Sequence, residues 1–572
     1  MGTVRASAAA ILLILAVPSV TQIVPSAAQP QQRVDYAPAI AALERQIPDL
    51  MERAKIPGLA ISLVDGDRVV WARGFGHTDR TRAVQVTANS LFLLQSISKT
   101  YTTIGVLLAI EQGWLALDDP VVRFVPTLSV HSRYGEDQVA KITIRHLLAH
   151  RAGLNHEAPL GNFSDLRPTS FHEHVRSIAD SWLQFPVGDR FSYASLSHDL
   201  AAYLLEVLSG KSFDRFMRNE LFRPLGMTSS SFDREWALDH PSLALGHDGD
   251  RAVPPVSNPM LGGGGMYSTV TDMAKFVSFE LAGGVAGGRR LLSEALLRET
   301  EKSSFPEPGE VGWYGLGVIS MPYLGATALL HPGDGFGFST IQMWIPRYGL
   351  GVVALTNQGD ADLHPLADSA FALMVKAKYG QLPSASPMQL SSKPAANIPL
   401  DVVTRLAGTY KPRWGTMRFG VNGGQLAKIA GNDTVPLTPH GGTEFTEPNR
   451  FYRFDVTPAG EPIGVRTFSS GGEHWPIMEY WPLNDTPRDR PGVARPEWSQ
   501  YVADYHGRSG NQDISAQVFL RNGYLYVSAF GGDLKLTPYR PGLFFTADGE
   551  SVVFDAIRMV LGNRPFVRKP DH

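Results

Sequence analysis

Ser96-Ile97-Ser98-Lys99 stands between the apolar stretch Leu91–Leu94 and the helix-like run Thr100-Tyr-Thr-Thr-Ile-Gly-Val-Leu-Leu-Ala-Ile110. Phe92 and Leu94 alternate as a strand does, whereas Ile104, Leu107, Leu108 and Glu111 follow at helical spacing, with Gly113 where a helix stops. A serine at a strand-to-helix junction has free backbone N–H groups and the positive end of the helix dipole beside it. Positions i and i+3 share a helix face, so the Ser96 hydroxyl and the Lys99 amine can meet. A serine hydroxyl is a weak nucleophile at neutral pH, and an adjacent neutral amine can take its proton.

On the N-terminal side, Val34–Ala54 carries helix-spaced Ile40, Leu43, Ile47, Leu50 and Met51, closed by Pro57-Gly58. Two strand-like stretches, Leu59–Asp65 and Arg68–Gly76, are joined by Gly66-Asp67 as in a hairpin. Helical patterns then dominate from about residue 100 to 300, broken by Pro120, Pro126, Pro186-Val-Gly188 and the run Gly262–Gly265. Strand patterns return at Gly315–Met321, Ala328–His331, Phe338–Ile345 and Leu350–Thr356, and Leu366–Tyr379 reads as a last helix opened by Pro365. Strands at both ends with helices between predict an α+β domain over 29–380: one antiparallel sheet flanked by helices, with an all-helical subdomain.

Residues 381–398 turn to Pro, Ser, Ala and Lys, as a linker does. The remainder is β-rich and repeats itself. Leu406-Ala-Gly-Thr-Tyr410 is echoed by Tyr501-Val-Ala-Asp-Tyr505, and Asn422-Gly-Gly-Gln-Leu426 by Asn522-Gly-Tyr-Leu-Tyr526. Leu437-Thr-Pro439 with Phe445-Thr446 recurs as Leu536-Thr-Pro538 with Phe545-Thr546. Offsets of 95 to 100 residues allow a small β-barrel per copy, over 399–495 and 496–572; one larger barrel built from two halves is the alternative.

Composition bounds the partners. The 572 residues are 43% apolar and 19% charged, which fits a soluble globular protein of two or three domains. A net charge of −3 with both signs interspersed, and no basic tract with aromatics, argue against nucleic acid. Arg5, the apolar block Ala8–Val17, Pro18 and Ser26-Ala27-Ala28 read as a signal peptide over 1–28, too short to span a bilayer. An exported chain, periplasmic or secreted from a bacterium and with no membrane span after cleavage, is expected. The absence of cysteine excludes disulfides, a thiol nucleophile and thiolate metal sites. His146 and His150 stand four apart, but with no glutamate after the first and no third ligand, helix packing and capping are expected rather than zinc.

Two further segments can supply chemistry. Tyr193, in Pro186-Val-Gly-Asp-Arg-Phe-Ser-Tyr-Ala-Ser195, is a tyrosine that beside a cation can approach phenolate and shuttle protons. His331-Pro332-Gly333-Asp334 lies on a strand-like segment where a glycine lets substrate approach the edge, and the following N–H can join that of Ser96 in an oxyanion hole.

Together these motifs resemble the serine β-lactamase and penicillin-binding-protein superfamily, in its class C-like branch with D-aminopeptidases, D,D-peptidases and β-lactamase-like esterases. Ile142-Thr-Ile-Arg-His-Leu-Leu-Ala-His-Arg-Ala-Gly-Leu154, Leu221-Phe-Arg-Pro-Leu-Gly-Met227 and Gly263-Gly-Gly-Met-Tyr-Ser-Thr-Val-Thr-Asp-Met-Ala-Lys275 extend the likeness over roughly residues 36 to 375. The resemblance implies Ser96 as the acylated nucleophile, Lys99 as its deprotonating partner and Tyr193 as a second base. It leaves open whether lysine or tyrosine takes the first proton. His331 matches the lysine of the family's K-T-G motif, and the Ser96 and Asp334 amides match its oxyanion hole.

Three departures bear on substrate. Ser195 replaces the asparagine of Tyr-x-Asn, Pro332 replaces the hydroxyl residue of K-T-G, and His331 is a weaker cation than lysine at neutral pH. All three argue against efficient β-lactam hydrolysis. An exported serine hydrolase of small-peptide amide bonds is therefore expected, without metal or organic cofactor, with a peptide or ester substrate, and compatible with an oligomer. The alternatives are a carboxylesterase using the same Ser-Lys-Tyr set and, behind it, a β-lactamase, a D,D-carboxypeptidase or a slowly turning penicillin-binding sensor. Barrel modules after such a domain resemble bacterial D-aminopeptidases of this superfamily.

Overall fold

The computed structural model describes residues 34–569 apart from 81–83, 165–166, 256–257, 305–312, 383–397, 412–416, 431–432, 448–449, 457–458, 470–475, 484–494, 510–511, 531 and 547–548. The expected signal segment 1–28 and nearly all of the expected 381–398 linker lie outside the described residues.

Helix α1 (Ala37–Arg53) leads into β1 (Gly58–Asp65) and β2 (Arg68–Gly76), and the sheet resumes far along the chain. There β3 (Trp313–Tyr314), β4 (Ile319–Tyr323), β5 (Ala326–Gly335), β6 (Phe338–Ile345) and β7 (Leu350–Thr356) follow in turn. All seven pair antiparallel in the order β2-β1-β7-β6-β5-β4-β3. Every residue of β1, β6 and β7 is buried, as in a sheet covered on both faces. On β1 the two faces are told apart by their polar residues. The Ser62 hydroxyl donates to Val270 O on the helix Val270–Leu281, whereas Asp65, of opposite parity, takes Tyr36 OH at 3.0 Å and Lys378 Nζ at 2.7 Å. Tyr36 precedes α1 and Lys378 lies in the helix His364–Tyr379, so these two helices share one face and the helical region holds the other.

That region is organised around α2 (Ser98–Glu111), whose residues are buried from Ser98 through Ala109, so no polar face remains. Glycines let neighbouring backbone touch it. A Cβ on Gly317 would fall 2.1 Å from Thr103 Oγ1, and one on Gly105 would fall 2.5 Å from Met217 Sδ. The expected strand at Gly315–Met321 therefore begins only at Ile319, because Gly317 turns with φ +67° against α2.

The C-terminal region folds as two separate nine-stranded sheets, from Gly408–Lys411 to Pro476–Leu483 and from Ala503–Ser509 to Arg564–Arg568. Counting strands within each copy, both run 4-3-2-1-9-8-7-6-5. The outermost strands are consecutive in the chain and separated by one buried leucine, Leu437 or Leu536, which brings the two edges together and nearly closes each barrel. The repeated motifs have repeated jobs: Leu437 and Leu536 N–H donate to Leu426 and Leu525 O, and Tyr410 and Tyr505 OH donate to the carbonyls four residues earlier.

The second barrel packs on the helical region through Trp182, whose ring centroid lies 5.7 Å from that of Tyr539 and 5.5 Å from that of Phe545, and through the Arg133 guanidinium, 4.1 Å over Phe545. Truncating Leu536 to alanine leaves a cavity at the closure and is expected to cost about 2–4 kcal/mol. Hydrogen exchange should show the loss as faster amide exchange confined to the second barrel.

Candidate active site

Ser96 sits on a single 3-10 turn, Gln95–Ile97, between Phe92–Leu93 and α2. The turn runs straight into α2, so Ser96 and Lys99, three residues apart, share one face. Gln95 enters the turn with φ +54° and is held there as its Nε2 donates to Gly335 O at 2.8 Å. Lys99 Nζ lies 3.0 Å from Ser96 Oγ, and its side chain is fully buried.

The glycine run that closes the site from the other side carried no assigned role in the sequence. Lys99 Nζ donates to Gly263 O at 2.6 Å, while Gly263 N–H donates to the buried Asp199 carboxylate at 2.9 Å. Asp199 in turn meets His174 Nε2 at 3.2 Å. Thr102 Oγ1 donates to Gly262 O and Met266 N–H to Ser98 Oγ, so α2 holds the run at both ends. Only glycine fits. A Cβ on Gly263 would lie 2.8 Å from that of Ser195, and one on Gly262 would lie 2.2 Å from His198 O.

Tyr193 precedes the helix α3 (Ser195–Ser209), hydrogen-bonds Ser96 and presents its ring 4.7 Å from Lys99 Nζ. Burial pushes the phenol up, and the Ser96 hydrogen bond opposes this only in part. Burial thus favours the phenol form of Tyr193 in the resting site.

The strand expected over Ala328–His331 runs further: Pro332 and Gly333 continue β5, paired with Ile341 and Thr340 of β6. Pairing with β4 ends at Leu330, so a proline beyond it breaks no ladder on that side. His331 Nδ1 donates to Pro332 O at 2.6 Å, and Nε2 accepts from Tyr314 OH at 2.9 Å. Burial, followed by the nearby Lys99 charge, pushes the imidazole down to about 3. It is a neutral hydrogen-bonding group here, not a weak cation. His198, whose Nε2 lies 3.3 Å from Thr103 Oγ1, is pushed well below its usual value by burial and then by Lys99 and His331. His150 packs between Tyr193 and Tyr314 at ring distances of 4.4 and 4.6 Å and accepts Ala194 N–H on Nδ1. His146 completes the capping box of the helix Ile144–Leu148 with Thr143.

Gly333 fixes the remaining wall. A Cβ there would fall 2.2 Å from Leu94 O, 2.5 Å from Thr340 Oγ1 and 3.0 Å from Ser96 N, so the backbone leading to Asp334 lies flush against the nucleophile turn. Thr340 Oγ1 donates to Leu94 O at 2.9 Å and ties the two together. The Asp334 carboxyl faces away from this role: it accepts Ser339 Oγ at 2.6 Å and Asp360 N–H at 3.1 Å, and burial raises it to about 6. Ser195 opens α3 beside Gly263, with His156 Nε2 3.3 Å from its Oγ. The seven residues singled out from sequence are therefore joined through Lys99, Gly263 and Gly333. Tyr314, His198, Asp199, Gln95, Thr340 and His156 belong to the same site and were not singled out, and His150, read from sequence as a packing residue, joins them.

A histidine with a folded value near 3 and an unfolded value near 6.5 binds its proton only on unfolding between those limits, so its stabilising contribution is lost as pH falls through that window. Wild type should lose about 2 kcal/mol relative to His331→Gln between pH 7 and pH 5, measured by paired urea titrations.

A family model described as Beta-lactamase matches residues 43–373. The chain is 30% identical over 378 residues to penicillin-binding protein 4 of Amycolatopsis lactamdurans, covering 63% of this chain and 94% of that one. It is 29% identical over 325 residues to unguisins hydrolase ungD' of Aspergillus campestris (strain IBT 28561), covering 54% of this chain and 59% of the fungal one. In fold it is similar to the octameric penicillin-binding protein homologue from Pyrococcus abyssi, with a TM-score of 0.53, 23% identity and coverage of 77% and 99%. SurE with D-Leu gives a TM-score of 0.52, 20% identity and coverage of 76% and 99%. The chain belongs to the β-lactamase family and is a serine hydrolase of the β-lactamase and penicillin-binding-protein superfamily.

Proposed function

We propose that this enzyme cleaves amide bonds of small peptides through an acyl-enzyme on Ser96. The observation that carries the reading is a single hydroxyl contacted by two proton-handling groups: Lys99 Nζ at 3.0 Å and the Tyr193 phenol. Because Tyr193 rests as a phenol, Lys99 in its neutral form is the first acceptor. It takes the Ser96 proton as Oγ bonds to the scissile carbonyl carbon, and the oxyanion forms against the Ser96 and Asp334 N–H groups. Collapse breaks the C–N bond while Tyr193 delivers a proton to the leaving nitrogen and regains one from Lys99. Water then adds to the ester by the reverse relay and releases the acid.

Substrate follows from what the site lacks in charge. A neutral His331 and a proline at 332 give no cation and no hydroxyl for the carboxylate of a penicillin. Proton delivery by Tyr193 serves amide cleavage, whose amine leaving group departs only when protonated, more than ester cleavage. Export through residues 1–28 belongs to the same proposal, and sequencing of the secreted chain should begin at Gln29.

Ser96→Ala and Lys99→Ala are each expected to lower kcat/KM by about 1,000-fold or more, and Tyr193→Phe by about 100-fold or more. Ser96→Ala should also abolish labelling by a serine-directed phosphonate. In a panel of aminoacyl p-nitroanilides, p-nitrophenyl esters and nitrocefin, the anilides should exceed nitrocefin in kcat/KM by about 100-fold, a gap of about 2.7 kcal/mol in transition-state stabilisation. Retained turnover by Ser96→Ala, or nitrocefin equal to the anilides, overturns the proposal. Ser96-dependent hydrolysis of esters with no anilide turnover assigns the carboxylesterase instead.

A further inference from the structure

Ser195 stands beside Gly263, whose carbonyl takes the Lys99 amine, and behind it runs a hydrogen-bonded chain that the hydrolytic steps above do not use. His156 Nε2 lies 3.3 Å from Ser195 Oγ, and His156 Nδ1 lies 2.8 Å from Glu157 Oε1. Glu157 is 4% exposed, and its other oxygen accepts Phe163 N–H at 3.0 Å. Leu196 N–H donates to His156 O at 2.9 Å, which fastens the His156 backbone to the start of α3. The imidazole stacks on the Tyr193 ring at 5.9 Å and 27°. Every member is thereby held in one orientation.

The far end of the chain is held by the second barrel. Asn563, in the turn before its last strand, donates from Nδ2 to Glu157 O at 2.7 Å and to Ser181 Oγ at 3.0 Å, and accepts Asn162 Nδ2 on its own carbonyl at 3.0 Å. Burial pushes the Glu157 carboxyl up, and the nearby Arg564 charge and the Phe163 N–H oppose this only in part. With one oxygen accepting the Phe163 N–H and the other 2.8 Å from His156 Nδ1, Glu157 as a carboxylate takes the Nδ1 proton of His156, and the Nε2 lone pair is left facing Ser195. The Ser195 hydroxyl then donates its one proton to Nε2, and its own lone pairs are what the cleft meets. An asparagine in this place offers both a donor and an acceptor; this serine offers only an acceptor.

Building on the hydrolase reading above, we propose that Glu157 and His156 hold Ser195 as a hydrogen-bond acceptor that selects substrates bearing an N–H or ammonium group next to the scissile carbonyl, with Asn563 as a positioning residue supplied by the second barrel. The selectivity of the catalytic domain thus depends on a side chain from a barrel that carries none of the chemistry. Ser195 is the group that touches substrate; His156, Glu157 and Asn563 act through it.

The test uses the full-length protein and two esters with one leaving group, alanine p-nitrophenyl ester and propionate p-nitrophenyl ester, which differ only in the α-amino group. The ratio of their kcat/KM values should fall at least tenfold in Ser195→Ala and His156→Ala and at least threefold in Glu157→Gln and Asn563→Ala, while Ser195→Thr keeps it within threefold. A structural role alone would lower both esters together and leave the ratio in place, and that result overturns the proposal. Binding separates this outcome from failure of the hydrolase reading. Calorimetry on Ser96→Ala should give alaninamide at least tenfold tighter than propionamide, and the added Ser195→Ala change should remove the difference. Equal affinities in Ser96→Ala overturn the proposal even where Ser96-dependent turnover stands.

Discussion

A primary amine sealed from water, 2.6 Å from a backbone carbonyl and 3.0 Å from a serine hydroxyl, is the contact on which the rest of this molecule depends. An amine in that setting must have its hydrogen bonds arranged by the protein, because no solvent is available to supply them. The Gly263 carbonyl does so, and its direction is set from behind by Asp199, itself paired with His174. Much of the helical region follows from that requirement. The helix α2 is enclosed on every side, and the segments that reach it do so at glycines, because a side chain at Gly263 or Gly317 would strike α2 or its neighbours.

The site's electrostatics follow from the same enclosure. Burial keeps Tyr193 and Tyr314 as phenols and His198 and His331 as neutral imidazoles, so the groups around Lys99 accept and donate hydrogen bonds without adding charge. A second cation near Lys99 would repel its protonated form, the form that must appear when Ser96 gives up its proton. The neutral His331 is consistent with that need, and it removes the positive group that lysine provides in relatives with K-T-G.

What was legible in the sequence was local. Ser-x-x-Lys at a strand-to-helix junction, the strand-like runs that mark β1, β6 and β7, and the twin Leu-Thr-Pro motifs each depend on neighbours a few residues away, and each has its counterpart in the structure. Strand limits failed where a distant backbone intervened: Gly317 turns against Thr103, and Pro332 is tolerated in β5 because β4 has already ended. The uncharged state that burial favours for His331 and Tyr193 was not legible, because burial cannot be read from a tetrapeptide. His156 and Glu157 had no pattern to betray them. Their meaning lies in an asparagine some four hundred residues away.

Gly333 carries a consequence for how such an enzyme can diversify. Its α-carbon leaves no room for any added atom between Leu94 and Ser96, so that bank of the cleft is made of main chain and tolerates no variation. The opposite bank, where Ser195 and His156 stand, is made of side chains. New specificities in descendants of this sequence are therefore confined to one shore, while the catalytic geometry on the other is inherited intact.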